Sequence, residues 1–316
     1  MQVVSQGVPE VMNKAPLLLY AGLLMSAGSA LAQPHLDMVA HGQEVFRMAG
    51  CENCHTAQQN GSQPMAGGVE LGTPLGIFYT PNISPDKETG IGGWSENDFR
   101  RALREGRRPD GANYYPSFPY TSYTNLSDQD IQALWAYMKQ AAPVRQANKL
   151  HQLPWYLRFR PLLTVWKWLF FKRGPYQPDP AKSVEWNRGA YLVRGPGHCN
   201  ECHTERNALG GLDIKMALAG TNHGPEGVHI PNITPEPNTG IGKWKTADLL
   251  EYLKTGLRPD GDYVGGLMAE MIDNGLKYQS GVDLKAIATY LSGVPAVKNL
   301  VIGHKRSSHK SMVEDY

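Results

Sequence analysis

Hydrophobic residues recur at intervals of three and four along several stretches of this chain, which is the spacing of one face of an α-helix. The clearest stretch places apolar side chains at i, i+3, i+4 and i+7, namely Ile131, Leu134, Trp135 and Met138. Similar signals predict helices over 38–49, 184–193 and 246–254, and helices that begin near 95, 127 and 281. No stretch alternates apolar and polar residues as a strand does. The pattern therefore predicts an all-α fold with loops rich in Gly and Pro.

One helix start and one helix end are explicit in the sequence. Ser95 precedes Asp98 by three residues, which is the arrangement of a capping box. Gly256 follows the predicted helix 246–254 and is typical of a helix end. A helix is therefore expected after each of Trp94 and Trp244.

The chain repeats itself at an offset of about 150 residues. Three strings in the first half, at 81–83, 89–92 and 108–111, return unchanged at 231–233, 239–242 and 258–261. Between residues 81 and 111, 16 of 31 positions are identical to their counterparts. Such self-similarity predicts a tandem of two similar domains, which we place at 33–142 and 181–300.

Each predicted domain contains one C-x-x-C-H string, and the two strings use all four cysteines of the chain. They read Cys51-Glu52-Asn53-Cys54-His55 and Cys199-Asn200-Glu201-Cys202-His203. This spacing is typical of covalent attachment of a c-type haem. Each thiol can form a thioether with a haem vinyl group, and the following histidine becomes the proximal iron ligand. We therefore expect two covalently bound haem c groups, attached by the four cysteines and ligated by His55 and His203.

Two other kinds of site use closely spaced cysteines. A thioredoxin-like redox site needs a single C-x-x-C motif in a βαβ setting, and no such setting is predicted here. A zinc site built from all four cysteines would leave the two adjacent histidines unexplained. The sequence therefore favours haem over both.

Length and charge narrow the class of protein further. The chain has 316 residues, enough for two domains of ordinary size, and its formal net charge is only +2. That charge gives no indication of nucleic-acid binding. The 34 glycines and 23 prolines agree with long irregular loops around small haem domains.

The N-terminus has the features of an exported protein. Lys14 precedes an apolar run at 15–27, and the small-residue pattern Ala30-Leu31-Ala32 follows. These features predict a secretory signal peptide over 1–32, with an uncleaved N-terminal anchor as the alternative. Bacterial c-type haem is attached outside the cytoplasm, which agrees with export. We therefore expect the mature chain in the periplasm or attached to the outer face of the inner membrane.

An aromatic-rich linker over 143–180 joins the two predicted domains. Its aromatic side chains are interleaved with basic ones, and the set includes Trp155, Tyr156, Phe159, Trp166, Trp168, Phe170, Phe171, Arg158, Arg160, Lys167, Lys172 and Arg173. This composition is compatible with association at a membrane surface or with a docking surface. Pro154 and Pro161 interrupt its periodicity, so we favour a strap packed between the domains. The residues over 301–316 form a C-terminal tail.

The motifs do not specify the second axial ligand of each iron. An electron-transfer haem c often has a methionine there, whose thioether favours the reduced iron and raises its potential. In the second domain the candidates are Met268, Met271, Met216, His223 and His229. The sequence repeat alone leaves the choice between the first two open.

The first domain lacks a corresponding ligand. No Met or His lies between Met65 and Met138, and Phe118 aligns with Met268 or Met271 depending on the offset. Phenylalanine cannot ligate iron. The first haem is therefore expected to have an open iron, a bound water or hydroxide, or Met65 as its sixth ligand.

The whole mature chain resembles the cytochrome c subunits of membrane-bound dehydrogenases, those that serve alcohol, gluconate, sorbitol and aldehyde dehydrogenases. The strings that carry the resemblance are 66–68, 76–83, 90–92 with Trp94, 186–193 and 198–204. Many members of that family have a third haem domain beyond the two found here, so the family's quinone-reducing role does not transfer directly.

The resemblance also bears on the sixth ligands. In that family a Tyr-Pro-x-Met-Pro-Tyr string supplies the methionine of the first domain, and here the string at 115–120 has Phe118 in its place. The family's second-domain string, Gly-x-Met-Ala-Glu, matches 266–270. The resemblance therefore implies Met268, rather than Met271, as the second ligand of the second haem.

We expect a dihaem cytochrome that carries electrons from a dehydrogenase catalytic subunit to another cytochrome, the quinone pool or a terminal oxidase. Nothing in the chain resembles a flavin, quinone-cofactor or molybdenum site, so no catalytic residue is assigned. A rival hypothesis is a dihaem enzyme, peroxidase-like or a small-molecule oxidase, with the first haem as an open catalytic iron. No His lies in the distal half of that domain to serve as acid or base, which leaves Glu70, Asp86 and Glu88 as the candidates for that role. A haem-based sensor is a third hypothesis, and no signalling domain supports it.

Overall fold

The computed structural model describes residues 1–2, 37–59 and 61–302. In the first half the elements are α1 over 37–48, α2 (Cys51–His55), β1 (Glu70–Thr73), β2 (Gly76–Tyr79), α3 (Glu96–Glu105), α4 (Tyr120–Tyr123) and α5 (Asp128–Met138). In the second half they are α6 (Leu162–Phe170), α7 (Val184–Arg194), α8 (Cys199–His203), α9 (Thr246–Thr255), α10 (Leu267–Asn274) and α11 (Gly281–Gly293). Single 3-10 turns lie at Trp155–Arg158, Ile214–Met216, Pro225–Gly227 and Leu276–Tyr278. Nearly all of the expected signal peptide and C-terminal tail lie outside the described residues.

One element corrects the all-α expectation. β1 and β2 form an antiparallel hairpin in which Glu70 pairs with Tyr79 and Thr73 with Gly76. The Thr73 hydroxyl donates to the Gly76 carbonyl oxygen at 2.8 Å, which closes the turn. Sequence periodicity misses this hairpin because each strand has only four residues and Gly72 and Gly76 break the alternation. The described chain is therefore helical with one small two-stranded sheet.

The same arrangement of helices occurs twice, so α1–α5 are termed the first repeat and α7–α11 the second repeat. In each repeat the first long helix crosses the last at very short distance. A β-carbon at Gly42 would lie 2.0 Å from the Ala133 carbonyl oxygen, and one at Gly189 would lie 1.9 Å from that of Ala286. Only glycine permits this approach. The two helix pairs, α1 with α5 and α7 with α11, therefore pack in the same way.

Each repeat has a buried apolar core, whose burial is the main force that holds its helices together. The first core includes Phe46, Leu103, Ile131, Leu134 and Met138. The second core includes Leu192, Val193, Leu253, Ile287 and Leu291, together with Met48 from α1. The side chain of Met48 therefore reaches across from the first repeat and joins the two repeats.

Serine side chains begin most of the long helices. The predicted capping box is confirmed, because Ser95 accepts from the Asp98 N–H while the Asp98 carboxylate accepts from the Ser95 N–H. Ser127, Ser183 and Ser280 each accept from the N–H three residues on. These bonds satisfy backbone donors that the helix itself leaves free.

The linker contacts both repeats. Lys167 in α6 donates from its ammonium group to the carbonyl oxygens of Glu105 and Gly106, each at 2.7 Å. A cation is favourable there because those carbonyls lie at the C-terminal end of α3. On the other side the Trp166 indole donates to the Leu209 carbonyl oxygen of the second repeat at 2.9 Å. The linker therefore connects the two repeats through α6.

Part of the linker remains exposed. Its exposed apolar side chains are Leu150, Trp155, Tyr156, Phe159, Leu162, Val165, Trp168 and Leu169, and the two tryptophans are each 82% exposed. None of the described helices combines the length and the apolar character that crossing a membrane requires. The exposed side of α6 and of the 3-10 turn before it is therefore a surface that the described chain leaves uncovered.

Candidate haem sites

Each C-x-x-C-H string forms one short helix that follows a residue in the left-handed conformation. Gly50 precedes α2 with φ 58°, and His198 precedes α8 with φ 37°. All four cysteines are free thiols. Burial is the main reason that the pKa values of Cys51 and Cys199 are raised to about 12. A thiol with a raised pKa is not the activated nucleophile of a redox enzyme, which argues against the thioredoxin-like alternative.

The two motif histidines have the same hydrogen-bond arrangement. Nδ1 of His55 donates to the Pro81 carbonyl oxygen at 2.7 Å, and Nδ1 of His203 donates to that of Pro231 at 2.8 Å. Because a carbonyl only accepts, Nδ1 carries the proton and Nε2 keeps its lone pair. Burial lowers the pKa of both rings, and the bond to the proline carbonyl opposes that shift. A neutral imidazole with a fixed tautomer and a free Nε2 is suited to ligate a metal.

The donor set fits a covalently bound haem c. Two free thiols and one oriented imidazole come from a single helical turn in each repeat, as thioether attachment and axial ligation require. Over residues 37–59 and 61–302, no three His, Cys, Asp or Glu side chains gather as they would around another metal ion. The four-cysteine zinc site is therefore not supported.

A brace holds the carbonyl that orients the first histidine. Asn82 directly follows Pro81 and donates from Nδ2 to the Val144 carbonyl oxygen at 2.7 Å and to the Thr89 hydroxyl at 3.0 Å. Its Oδ1 accepts from the Ser84 N–H at 2.9 Å. The side chain is almost fully buried. The loop that ends at Pro81 is therefore fixed by bonds to the segment after α5.

The second repeat has the same brace. Asn232 follows Pro231 and donates from Nδ2 to the Val297 carbonyl oxygen at 2.7 Å and to the Thr239 hydroxyl at 3.1 Å. Its Oδ1 accepts from the Thr234 N–H at 2.9 Å. The half of each site that orients the histidine is therefore built from the same parts.

The structure separates the two main methionine candidates of the second repeat. Met268 lies in the first turn of α10 and packs against the second core. Met271 lies one turn later and directs its Sδ to the first repeat, where it accepts from Asn53 Nδ2 at 3.3 Å. A β-carbon added at Gly50 would lie 3.0 Å from that sulfur. The sulfur of Met271 therefore contacts the other repeat, whereas Met268 packs against the core of its own.

The other three candidates of the second repeat lie in loops. His223 has a side chain that is 78% exposed and lies 3.4 Å from the Glu205 carboxylate. Nδ1 of His229 lies 3.2 Å from the Asn222 side-chain oxygen. Met216 ends a 3-10 turn and is half-buried. These surroundings give none of the three the core position that Met268 has.

Phe118 occupies in the first repeat the place of Met268 in the second. Four residues before Phe118, the Tyr114 N–H donates to the Gly106 carbonyl oxygen at 2.8 Å, directly after α3. Four residues before Met268, the Val264 N–H donates to the Gly256 carbonyl oxygen at 3.0 Å, directly after α9. The Phe118 ring lies 5.3 Å from the Tyr114 ring and 5.7 Å from the Tyr123 ring, measured between centroids. An aromatic cluster therefore stands where the second repeat offers a thioether.

Met65 is placed for packing. It is buried in the first core with φ 60°, and Leu218 of the second repeat has φ 61°. The Met65 N–H donates to the Thr56 hydroxyl and the Leu218 N–H to the Thr204 hydroxyl, each at 3.0 Å. The side chain of Met65 is thus fully packed within the core, and the structure gives no support to Met65 as an iron ligand.

Each motif helix packs against the short helix of the other repeat. Asn53 in α2 accepts from the Asn274 amide at the end of α10, at 2.6 Å. Glu201 in α8 accepts from the hydroxyls of Thr121 and Ser122 in α4, at 2.6 and 2.8 Å. Asn53 and Glu201 occupy the same place in their motifs. The contact between the repeats is therefore reciprocal.

The residues before the two motifs also meet. The Ala49 carbonyl oxygen accepts from the Tyr123 hydroxyl at 2.8 Å and from Nε2 of His198 at 3.2 Å. The pKa of Cys202 is raised to about 11, mainly by burial. The Glu201 carboxylate and Cys54 raise this pKa further. The segments that precede the two motifs are therefore joined at one backbone carbonyl.

Sequence reasoning did not identify the residues that join the two sites. Asn53, Glu201 and His198 lie within or beside the motifs, and Tyr123 lies three residues after the string 115–120 that contains Phe118. Their proximity to the motifs marks these residues as candidates. It does not predict which residues of the other repeat they contact.

The comparisons with known proteins agree with this geometry. Residues 39–142 match the cytochrome c family. A dihaem c-type cytochrome of Cereibacter sphaeroides is 42% identical over 266 residues, which are 82% of this chain and 86% of that protein. The fructose dehydrogenase cytochrome subunit of Gluconobacter japonicus is 40% identical over 284 residues, 87% of this chain and 58% of the relative. The gluconate 2-dehydrogenase cytochrome c subunit of Pantoea cypripedii is 38% identical over 293 residues, 90% of this chain and 66% of the relative.

This chain thus spans nearly the whole dihaem cytochrome but less than two thirds of the two dehydrogenase subunits. A cytochrome c domain implies covalently bound haem c. The chain belongs to the family of c-type cytochromes that includes a dihaem cytochrome c and the cytochrome c subunits of dehydrogenases.

Proposed function

We propose that this chain is a dihaem cytochrome c that passes electrons from a dehydrogenase to the respiratory chain. The observation that carries the proposal is the reciprocal packing of the two C-x-x-C-H helices, each against the short helix of the other repeat. Covalently bound haem c supplies reversible one-electron exchange at its iron. Two attachment sites in direct contact suit transfer from one site to the other.

The residues divide into two sets, one for each haem. Cys51, Cys54 and His55 attach and ligate the first haem. Cys199, Cys202, His203 and Met268 serve the second. In both sets the bond from Nδ1 to a proline carbonyl fixes the ring and leaves Nε2 for the iron. The thioether of Met268 favours reduced iron, so the second site is the stronger electron acceptor.

A short path through bonds joins the two sets. Ala49 lies two residues before Cys51, and His198 directly precedes Cys199. The hydrogen bond from His198 to the Ala49 carbonyl therefore connects the two attachment segments through a few covalent bonds. Tyr123 donates to the same carbonyl and holds it in place.

The relatives indicate the class of electron donor. Two of them are named as cytochrome subunits of fructose and gluconate dehydrogenases. We therefore propose a dehydrogenase catalytic subunit as the donor, and another cytochrome, the quinone pool or a terminal oxidase as the acceptor. The N-terminal segment over 1–32 supports export, and we propose the periplasm as the location. These names favour electron transfer over the peroxidase-like alternative.

The linker supports association with a membrane surface. Its exposed apolar side chains lie on α6 and on the 3-10 turn before it. Residues 143–178 contain seven Lys or Arg and no Asp or Glu. An apolar face among basic residues suits the headgroup region of an anionic bilayer. Cosedimentation with anionic vesicles should fall in a Trp155→Ser, Trp168→Ser variant, whereas neutral vesicles should bind neither protein.

Two measurements test the electron-transfer proposal. The intact mass of the mature protein should include two haems and begin after residue 32. The oxidised protein should show a methionine-to-iron charge-transfer band that Met268→Ala removes and that Met271→Ala, the matched control one turn away, retains. Reduced protein should be reoxidised by host membranes. One haem by mass, or rapid turnover of peroxide without electron exchange with membranes, would contradict the proposal.

A further inference from the structure

We propose that the first haem has no protein side chain as its sixth ligand and that this position binds small exogenous ligands of the carbon monoxide and cyanide class. The proposal rests on the two-haem function above. It follows from the side chains that the first repeat presents at the position equivalent to Met268.

The register between the repeats is fixed on both sides of this position. Upstream, Tyr114 and Val264 make the same backbone bond to a glycine carbonyl. Downstream, Ser127 and Ser280 cap their helices in the same way. The second repeat has three more residues in this interval, and they fall in α10, which has eight residues against four in α4. Phe118 and Met268 each follow the upstream bond by four residues, and each packs against the core of its own repeat, so we take Phe118 as the equivalent of Met268.

Phe118 is held in place by its neighbours. Its ring packs against the first core and lies in edge-on contact with Tyr114, with Tyr123 on another side. A phenyl ring has no lone pair to donate to iron. Phe118 therefore places an apolar side chain, which cannot coordinate iron, at the position where the second repeat has a thioether.

The buried methionines of the first repeat do not substitute for it. Met65 is 5% exposed and Met138 is 3% exposed, and both pack in the first core. Leu218 and Leu291 take their places in the second repeat. Both side chains are buried within the core, whereas Met268 is only half-buried at the edge of its own, so the structure assigns Met65 and Met138 to packing.

The other histidines around the first repeat, His41, His151 and His198, are hydrogen-bonded to other groups. Nε2 of His41 lies 2.7 Å from the Asp130 carboxylate. Nδ1 of His151 accepts from the Tyr79 N–H at 3.1 Å, so its proton is on Nε2 and that nitrogen has no free lone pair. His198 donates its Nε2 proton to a backbone carbonyl, as described above. Within the described part of the chain, ligation by any of these rings would break an existing bond.

Tyr114 carries a hydroxyl that its counterpart in the second repeat lacks. Its ring touches Phe118, and the equivalent residue of the second repeat is Val264. Burial is the main cause that raises the pKa of Tyr114 to about 12, so the group is a neutral phenol. A phenol of this kind can donate a hydrogen bond to a small ligand at the iron, which a valine cannot.

The test uses the purified holoprotein with both haems attached. Electron paramagnetic resonance of the oxidised protein at pH 6 should show one high-spin and one low-spin haem in equal amounts. After reduction with dithionite, carbon monoxide should form an adduct with half of the haem. Cyanide should titrate one haem per oxidised chain, and the other should resist.

Two reciprocal substitutions assign the effect to this position. Phe118→Met should convert the high-spin haem to low-spin, abolish the carbon monoxide adduct and raise the potential of that haem. Met268→Phe should do the reverse at the second haem and double the carbon monoxide adduct. The second substitution keeps the test decisive where the first variant fails to fold.

The haem count separates failure of this proposal from failure of the proposed function. Two haems by mass that are both low-spin, with no carbon monoxide adduct, would overturn the open site and leave electron transfer intact. One haem by mass would overturn the function itself. A low-spin first haem that becomes high-spin in Met65→Leu would identify Met65 as the ligand and also overturn the proposal. So would a high-spin signal that Phe118→Met leaves unchanged.

Discussion

Met268 and Phe118 stand at the same position of two repeats that share the hydrogen bonds around the motif histidine. His55 and His203 donate to equivalent proline carbonyls, and an equivalent asparagine braces each carbonyl. On the other side of the site one repeat has a thioether and the other a phenyl ring. The half that orients the histidine has therefore been kept in both copies, while the half that would supply the sixth ligand has diverged.

A second difference lies in the short helices that touch the opposite motif. α10 has eight residues and α4 has four. The added turn gives the second repeat Met271 and Asn274, both of which contact Asn53. The first repeat instead places two hydroxyls against Glu201. The reciprocal contact is thus made with different chemistry on its two sides, which allows each side to be tested separately.

The largest effects are expected where the repeats agree, at the helix crossings. Gly42→Ala and Gly189→Ala would each force a methyl group against a backbone carbonyl about 2 Å away. Overpacking of this kind should lower the free energy of unfolding by about 3 kcal/mol in each variant. Urea unfolding followed by far-ultraviolet circular dichroism measures it. Equal losses would support equivalent crossings, and a loss at one site alone would break the comparison.

Gly281→Ala is the matched control for those two variants. Gly281 also lies in a long helix, at the start of α11, but a β-carbon there meets nothing within 4 Å. Alanine has the higher helix propensity, so this change should leave stability unchanged or raise it by up to about 1 kcal/mol. A comparable loss in the control would attribute the effect to glycine replacement in general.

The asparagine braces should give the next largest effect. Asn82→Ala and Asn232→Ala each remove bonds to a backbone carbonyl and to a threonine hydroxyl within a buried loop. Loss of these partners should cost about 2 kcal/mol in each repeat. The loosened proline carbonyl should also weaken the orientation of the motif histidine. A shift in the optical spectrum of one haem per variant would show that second effect, and an unchanged spectrum would limit the brace to stability.

Local signals explain which parts of this molecule could be predicted from its sequence. The long helices and the Ser95 capping box follow from periodicity and from contacts within four residues, which the sequence displays directly. The hairpin at 70–79 escaped because its four-residue strands are interrupted by glycine. The partners of Glu201 and Asn53 escaped because they lie 79 and 221 residues away along the chain. Such pairings depend on how the repeats dock, and no local pattern encodes that.

The contact between the repeats should respond unequally on its two sides. Glu201 has a side chain that is 9% exposed and accepts from Arg206 as well as from two hydroxyls. Glu201→Ala leaves the two hydroxyls without their acceptor and should cost about 2 kcal/mol, whereas Asn53→Ala removes weaker contacts and should cost about 1 kcal/mol. Urea unfolding measures both. Glu201→Gln retains one acceptor oxygen and should fall between wild type and Glu201→Ala, and equal losses at Asn53 and Glu201 would contradict the unequal chemistry.

The smallest expected effect is the dependence of stability on acid, and it should be the same in both repeats. Hydrogen bonds from Thr89 lower the pKa of Asp86, and hydrogen bonds from Thr239 lower the pKa of Glu236. Since the folded state holds these carboxylates below their ordinary pKa, the unfolded chain binds protons first as the pH falls. Their contribution to stability is therefore complete above the unfolded pKa values and is lost as the pH falls below about 4. Thermal melts between pH 6 and pH 3 should show a flatter acid loss in Asp86→Asn and in Glu236→Gln than in wild type. A flattening confined to one variant would show that the two loops, although alike in their bonds, differ in how strongly they hold the charge.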